Sequence, residues 1–150
     1  MKRVFIDTEF NGFGGELISY ALVPEDENFP TFYKVLPYVI DEYDPWVEKN
    51  VIPVLNEYNE SSEKLDEYLN NNFRGEEVVF MADWPDDIKY LSAELITGPG
   101  IMINNDFDIT FVIDRNLDEG PYSPMYPHNA LSDAAANREN YRYRYSDEEE

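Results

Sequence analysis

Apolar runs separated by short polar segments predict the first half of the fold. The run Val-Phe-Ile that begins at Val4 is β-branched or aromatic and stands before a glycine-rich segment, which predicts a buried strand over residues 4–10. Two further strands are predicted at residues 16–23 and 31–36. Because short loops join these three segments, we expect them to form an antiparallel meander.

Helical spacing of apolar residues predicts the helices. Asp44 followed by Pro45 is typical of a helix start, and Pro53 is expected to end or kink that helix. The other three helices are predicted at residues 62–73, from residues 84–87 to the stop at 98–100, and from Asn129 onward.

Two later strands, at residues 76–82 and 106–113, complete the predicted order β-β-β-α-α-β-α-β-α. This order predicts an α/β fold in which helices flank a mixed five-stranded sheet, antiparallel in its first three strands and parallel later. We expect a single domain over residues 1–145 and an acidic tail at residues 146–150. Residues 141–145 alternate Tyr with Arg, which fits a pairing strand, a phosphate- and base-contacting arm, or the amphipathic tail that we favour.

Composition narrows the class of protein. A chain of 150 residues is long enough to bury a hydrophobic core. It contains no cysteine, which excludes disulfides and thiolate metal sites. No apolar run is long enough to span a bilayer and no secretory segment follows Met1, so we expect a soluble, cytoplasmic protein.

The charge of the chain is strongly negative. Thirty-two Asp and Glu residues stand against 11 Lys and Arg, and the formal net charge is −21. A protein that holds nucleic acid by charge alone shows a basic patch, and none is evident in this sequence. Three interpretations are consistent with this balance: an acidic solvated surface, an acidic surface that binds a partner, or carboxylates that require cations.

Asp7 and Glu9 are the first candidate functional residues. They stand two residues apart at the end of the first predicted strand, so their side chains point to the same face. Two carboxylates that converge in this way can hold a divalent cation. A solvent-exposed pair beside a turn is the alternative, and so short a pattern does not decide between the two.

The remaining candidates lie at the ends of later elements. Asp83 follows the fourth predicted strand, where it is also a suitable helix N-cap. His128, the only histidine, stands just before the last predicted helix, and Asp133 lies slightly over one turn inside it. An ordinary surface histidine is the alternative for His128. Phe13, in the glycine-rich turn, either folds back onto the core, which we favour, or offers an exposed ring on which a base stacks.

These motifs, taken in order, resemble the DEDDh family of RNase T-like and proofreading-type 3′–5′ exonucleases, which have the ribonuclease-H-like fold. The first family motif, Asp-x-Glu on strand one, matches Asp7-Thr8-Glu9. The third, His-x-x-x-x-Asp, matches His128 and Asp133. The resemblance spans most of the chain and is greatest to the small bacterial and phage exoribonucleases.

The second family motif is an Asp that follows a later strand, and Asp83 is its best match. The Asn and Phe that often precede this Asp are absent here. Asp86 and Asp87 therefore stay open as substitutes for Asp83 as a ligand.

The resemblance implies a metal-dependent 3′–5′ exonuclease that releases nucleoside 5′-monophosphates, with RNA preferred over DNA. It implies two divalent cations, Mg²⁺ or Mn²⁺, which all-oxygen ligands suit. By the resemblance, Asp7 contacts both cations, Glu9 and Asp133 hold the one on the nucleophile side, and Asp83 holds the other. His128 is then the general base, since imidazole titrates near neutrality.

The expected partner is the 3′ end of single-stranded RNA or DNA, with no membrane, and a homodimer is an open alternative to a monomer. Two alternatives to an exoribonuclease are a DNA exonuclease of the same family and a non-catalytic acidic protein that mimics nucleic acid or binds a basic partner. The candidate substrate-binding residues are Thr8, Phe10, Phe13 and Arg138, with Arg142 and Arg144 as further candidates for phosphate contacts.

Overall fold

A mixed sheet of five strands forms the centre of the fold in the computed structural model, which describes residues 1–37, 40–103 and 106–146. The sheet has the strand order β3-β2-β1-β4-β7, and β5 and β6 form a separate hairpin. In chain order the strands are β1 (Lys2–Phe10), β2 (Leu17–Pro24), β3 (Phe32–Val35), β4 (Glu77–Ala82), β5 (Ile96–Gly98), β6 (Ile101–Met102) and β7 (Asp108–Ile113).

Strand directions divide the sheet at β1. On one side β1 pairs antiparallel with β2, and β2 pairs antiparallel with β3. On the other side β1 is parallel to β4, and β4 is parallel to β7. The predicted α/β class with a mixed five-stranded sheet is therefore confirmed.

Among the residues that the structure describes, four α-helices accompany the sheet: α1 (Pro45–Asn50), α2 (Leu65–Phe73), α3 (Pro85–Leu95) and α4 (Ala130–Tyr145). Asp44 caps α1 as predicted, because its Oδ1 accepts the backbone N–H groups of Trp46 and Val47. Pro53 lies in a short 3₁₀ helix that follows α1. Helix α2 begins at Leu65, three residues later than its pattern predicted.

Alternation along β1 assigns its side chains to two layers. Val4 and Ile6 pack in the same core cluster as residues of α2 and α3, whereas Phe5 packs with Ala130 and Ala134 of α4. Because side chains alternate along a strand, odd-numbered positions of β1 face α4 and even-numbered positions face α3. This alternation decides where each polar residue at the end of β1 points.

The structure adds a hairpin that the sequence pattern did not predict. The segment 98–100 was expected only to stop a helix, but α3 already ends at Leu95 and β5 pairs with β6 across the turn. Gly100 has φ +69° in this turn, a conformation that glycine adopts without steric cost. The β-branched residues on either side of the turn were the missed signal.

The predicted amphipathic tail at residues 141–145 is wrong, because α4 continues through Tyr145. Tyr and Arg alternate there, but Tyr141 and Tyr145 are four residues apart and lie on one face of a helix. Their ring centroids are 4.7 Å apart, and Tyr141 also packs against Phe5 at 5.4 Å. These aromatic contacts are consistent with a helical conformation of residues 141–145, which form the last turn of α4.

The end of the chain lies partly beyond these elements. Ser146 follows α4, and residues 147–150 of the expected acidic tail lie outside the described residues. Within the three described ranges, no helix combines the length and the apolar character that crossing a membrane requires.

Candidate metal centre

Three carboxylates meet between the end of β1 and the first turn of α4. Asp7 and Glu9 occupy odd-numbered positions of β1 and so face α4, which carries Asp133. Single ligand oxygens of these three residues lie within 4.8 Å of one another. The structure thus brings together the first and third motifs of the sequence, which are more than 120 residues apart.

A second group of carboxylates shares Asp7 with the first. Strand β4 runs parallel to β1, so Asp83 leaves the sheet at the edge where β1 ends. Oxygens of Asp7, Asp83 and Asp87 lie within 4.8 Å of one another. Asp87 therefore joins Asp83 at the site, whereas Asp86, the other open substitute, belongs to neither group and accepts the indole N–H of Trp84 at 3.0 Å.

Asp87 is held in place by Thr8. Strand β4 pairs with β1 only as far as Phe5, and Thr8 lies beyond that paired stretch. The Oδ1 atom of Asp87 accepts the backbone N–H of Thr8 at 3.0 Å and its hydroxyl at 2.6 Å. Thr8, a candidate for substrate binding, is itself buried, so the structure gives it the role of positioning Asp87.

Asp7 carries an oxygen that lacks a protein partner. Only 8% of Asp7 is exposed, and among the described residues its Oδ2 is one of two buried side-chain atoms without a hydrogen bond, the other being Ser19 Oγ. An unsatisfied buried carboxylate oxygen is unfavourable unless a cation or donor reaches it. The residues present therefore fit Mg²⁺ or Mn²⁺, which prefer oxygen ligands.

Burial raises the pKa of four of the clustered acids, and neighbouring negative charges raise it further; the four are Asp7, Glu9, Asp87 and Asp133. Burial and then the charge of Asp87 hold the pKa of Asp7 well above its usual range. Burial has the largest effect on Glu9 and the negative charge of Asp133 the next largest, and together they raise the pKa of Glu9 to about 10. Burial raises the pKa of Asp87 to about 8, although its hydrogen bonds from Thr8 oppose the rise. Without cations the cluster thus retains protons at neutral pH, and binding of cations releases them.

Asp133 accepts a hydrogen bond from the backbone of His128. Burial raises the pKa of Asp133, and the backbone N–H of His128, which donates to Asp133 Oδ1 at 3.3 Å, counteracts part of that rise. The imidazole ring of His128 lies edge-on to Trp46 with a centroid distance of 4.8 Å. The predicted histidine therefore stands beside the first carboxylate group.

His128 also has an unusual backbone. Its φ is +74°, and it is the only non-glycine residue with positive φ in the part of the chain that the structure describes. L-residues adopt this left-handed region rarely and at a cost in free energy, and such residues cluster at functional sites. The conformation reverses the chain immediately before α4.

Asn129 fixes the start of α4. Its Oδ1 accepts the backbone N–H groups of Leu131 and Ser132, which makes it the N-cap. Its Nδ2 donates to the Tyr33 hydroxyl at 3.2 Å and to the Val54 carbonyl at 2.9 Å. One buried side chain thus ties the helix that carries Asp133 to β3 and to the segment after α1.

Replacing Asn129 by Ala is expected to destabilise the fold by about 2–4 kcal/mol, since it removes the helix cap and both hydrogen bonds of Nδ2, and leaves the Val54 carbonyl with only the 3.3 Å bond from Glu57 N–H. Urea unfolding at pH 7 measures this loss. Asn59→Ala, at an exposed position, is the control and should change stability by no more than about 0.5 kcal/mol. Equal stability of the two variants would contradict the role of Asn129.

A groove of about 400 Å³ begins at Glu9 and extends away from the carboxylates. Phe10 lines it and stacks on Tyr90 at 4.6 Å. Phe13 also lines it and is fully exposed, so the expectation that Phe13 folds back onto the core is wrong. The remaining lining residues are Gly12, Asp44, Trp46 and Val47.

Arg138 is not brought to the carboxylates. Its guanidinium donates to the Pro24 carbonyl at 3.1 Å and forms ion pairs with Glu27 and Glu139. Pro24 pairs with Val4, which precedes Asp7 by three residues, or about 10 Å along β1. Arg142 is held in the same way by Glu27 and Glu139, so two of the three predicted phosphate contacts are engaged elsewhere. The third, Arg144, is exposed and lies over the Tyr145 ring.

Asn137 is a site residue that sequence reasoning missed. It lines a cavity of about 140 Å³ together with Asp7, Asp83 and Asp133. Asn137 is only 5% exposed, and no side-chain hydrogen bond ties it to the described residues. The missed signal was its spacing, since a residue four positions after Asp133 lies on the same face of α4.

The site is therefore two oxygen-rich groups joined at Asp7, with an imidazole beside one of them and a groove leading away. No family model matches the chain, and no curated protein matches it either. What the site can do chemically is inferred below from its own residues.

Proposed function

We propose that this chain is a metal-dependent 3′–5′ exonuclease of the DEDDh type, on a ribonuclease-H-like fold. It hydrolyses single-stranded nucleic acid, RNA in preference to DNA, and releases nucleoside 5′-monophosphates. The observation that carries this proposal is that Asp7 belongs to two adjacent carboxylate groups, each with its oxygens within 4.8 Å. The strand order β3-β2-β1-β4-β7, with one antiparallel and one parallel half, is compatible with that fold.

Each group of acids would hold one cation. Asp7, Glu9 and Asp133 would hold the first, and Asp7, Asp83 and Asp87 the second. When bound, two divalent cations would stabilise negative charge on the phosphoryl oxygens and make the attacking water more acidic. The protein supplies the positions of these oxygens, which the sheet, α3 and α4 fix in advance.

His128 would act as the general base. His128, whose backbone N–H binds Asp133, would take the proton of the attacking water at a ring nitrogen. The bond from His128 N–H to Asp133 Oδ1 and the contact with Trp46 hold the ring at that side of the site. Attack from this side places the leaving 3′-oxygen on the opposite side, toward Asp83 and Asp87.

Burial of the acids supports an enzyme over an acidic mimic of nucleic acid. A mimic presents its carboxylates on the surface, where a basic partner can reach them. Here Asp7 is 8% and Asp87 is 4% exposed, and both converge on a shared point inside the fold. Exposed acids elsewhere account for the net charge of −21 without a role at the site.

Incubation of the protein with 5′-labelled single-stranded RNA and Mg²⁺ or Mn²⁺ is expected to give a ladder of products shortened from the 3′ end. EDTA and Asp7→Ala should each abolish the ladder, because both remove the shared cation site. Asp108→Ala, an exposed aspartate at the start of β7 and thus at the opposite edge of the sheet, is the matched control and should leave the ladder unchanged.

Matched DNA in the same assay tests the sugar preference, and faster shortening of DNA would identify a DNA exonuclease instead. Absence of any ladder, with binding to a basic protein unaffected by Asp7→Ala, would favour the acidic mimic.

A further inference from the structure

Trp84 and Arg115 form a stacked pair beside the carboxylates. The Arg115 guanidinium lies over the Trp84 ring, 4.5 Å from its centroid. Trp84 directly follows Asp83, and its indole N–H donates to Asp86 Oδ2 at 3.0 Å, which orients the ring. Trp84 is nevertheless 48% exposed, so part of its surface is open to a ligand.

The sheet explains why these two residues meet. Strands β4 and β7 are parallel, and Ala82 pairs with Ile113 at their last positions. The backbone N–H of Asp114 donates to the Ala82 carbonyl at 2.8 Å, so the pairing continues to the strand ends. The residues that follow, Trp84 and Arg115, therefore leave the sheet at the same edge as Asp83.

Arg115 has a charge that the protein does not neutralise locally. Arg3, Arg138 and Arg142 each form ion pairs with glutamates. Arg115 is exposed and forms no ion pair with any residue of the three described ranges. The adjacent Asp114 is occupied, because it accepts the Asn116 backbone N–H and the Tyr145 hydroxyl.

An exposed guanidinium that forms no ion pair and lies over an exposed aromatic ring suits a nucleotide as its ligand. The guanidinium can bind a phosphate, and the indole offers a surface on which a base can stack. Among the described cations that form no ion pair, Arg115 is the one that lies over the ring of the residue directly after Asp83.

We propose that Trp84 and Arg115 bind the strand on the 5′ side of the scissile phosphate, with a phosphate on Arg115 and a base on Trp84. This inference rests on the proposed function. His128 lies by the group of Glu9 and Asp133, so the leaving strand extends toward the opposite group, and the pair stands immediately beyond Asp83. The 3′-terminal nucleotide would then bind in the groove that begins at Glu9.

Binding of 5′-fluorescent single-stranded RNA, measured by anisotropy with Mg²⁺ in the His128→Gly background, tests this site. Arg115→Ala is expected to raise the Kd of a heptanucleotide about tenfold. It should also reduce the slope of log Kd against log salt by about 0.7, the value for one lost phosphate contact on a single strand. The affinity of an unlabelled dinucleotide with a 5′-hydroxyl, measured by competition, should stay within about twofold, because it has no phosphate on the 5′ side of the scissile one for Arg115 to bind.

Two further variants separate charge from stacking. Arg115→Lys should keep most of the salt slope, since it keeps the charge. Trp84→Ala should raise the Kd of the heptanucleotide about 5- to 100-fold while leaving the salt slope unchanged. Arg74→Ala, at an exposed arginine that follows α2 and stands three residues before the start of β4, is the control and should change neither quantity. Melting temperatures of all variants show whether they are folded.

The proposal is overturned if Arg115→Ala leaves the affinity and the salt slope unchanged, or if it weakens the dinucleotide and the heptanucleotide equally. The underlying function fails in a different way. If Arg115→Ala weakens binding of the heptanucleotide but the wild type gives no ladder, the proposed nuclease activity is overturned and the strand-binding site remains. Wild-type protein that gives a ladder, with full affinity in Arg115→Ala, would overturn only the strand site.

Discussion

Replacement of Glu9 by Gln is expected to make the metal-free protein more stable and to abolish the proposed nuclease activity. Glu9 lies beside Asp7 and Asp133, and burial and then the negative charge of Asp133 raise its pKa to about 10. Gln has nearly the same shape and no charge, so folding no longer requires the uptake of a proton at this position. The same change removes a ligand oxygen that would carry charge, and turnover should fall about 10³-fold.

The gain in stability depends on pH. In the unfolded chain the pKa of Glu9 is near the ordinary glutamate value of 4.5, whereas in the folded protein its pKa is about 10. The folded state therefore binds more protons, and the stability of the wild type falls as pH rises from about 4.5 through about 10. Glu9→Gln removes this loss, so its advantage should be small at pH 5 and large at pH 9.

Thermal unfolding in EDTA at pH 5, 7 and 9 measures the effect. At pH 9 the Tm of Glu9→Gln should exceed that of the wild type by at least about 3 °C, which corresponds to about 1 kcal/mol for a chain of this size. Glu57→Gln, at an exposed glutamate, removes the same charge from the surface and is the control for net charge.

Added Mg²⁺ or Mn²⁺ should reverse the order of the two proteins. The cations stabilise the wild type by binding the folded state, and they should raise the Tm of Glu9→Gln much less. If Glu9→Gln instead lowered the Tm in EDTA at pH 9, the carboxylates would not repel one another in the folded protein. The two-group geometry would then be the wrong description of the site.

The sequence predicted the features that depend on neighbours along the chain. Alternation in β1 put Asp7 and Glu9 on one face, and the spacing from His128 to Asp133 put both at the start of a helix. The parallel arrangement of β1 and β4 then brings Asp83 to the same edge. Local patterns of this kind are sufficient to place residues at the ends of elements.

Contacts between distant residues were not predictable in the same way. Asp87 is brought to the carboxylates as a candidate ligand because Thr8, 79 residues earlier, donates two hydrogen bonds to it, and nothing in the local sequence signals that pairing. Arg138 was a reasonable phosphate contact by its position on α4, yet Glu27 of another loop and the adjacent Glu139 hold it. In both cases a tertiary hydrogen bond or ion pair decides which charged side chain is available.

The sharpest test of the proposed general base is His128→Gly, not His128→Ala. With φ at +74°, Gly retains the native backbone, whereas Ala carries the steric cost of the left-handed region, about 1–2 kcal/mol. We expect His128→Gly to fold at least as stably as His128→Ala. It should lose about 10²- to 10⁴-fold in turnover, the usual contribution of a general base.

Cation binding separates this loss from damage to the metal centre. His128 belongs to neither carboxylate group, so the rise in Tm caused by Mg²⁺ or Mn²⁺ should persist in His128→Gly and be largely lost in Asp133→Asn. Added imidazole should restore part of the activity of His128→Gly, because it can occupy the vacated space beside Trp46 and accept the proton. It should restore none in Asp133→Asn. Full turnover in His128→Gly without imidazole would show that another group removes the proton, and the DEDDh assignment would then fail at its histidine.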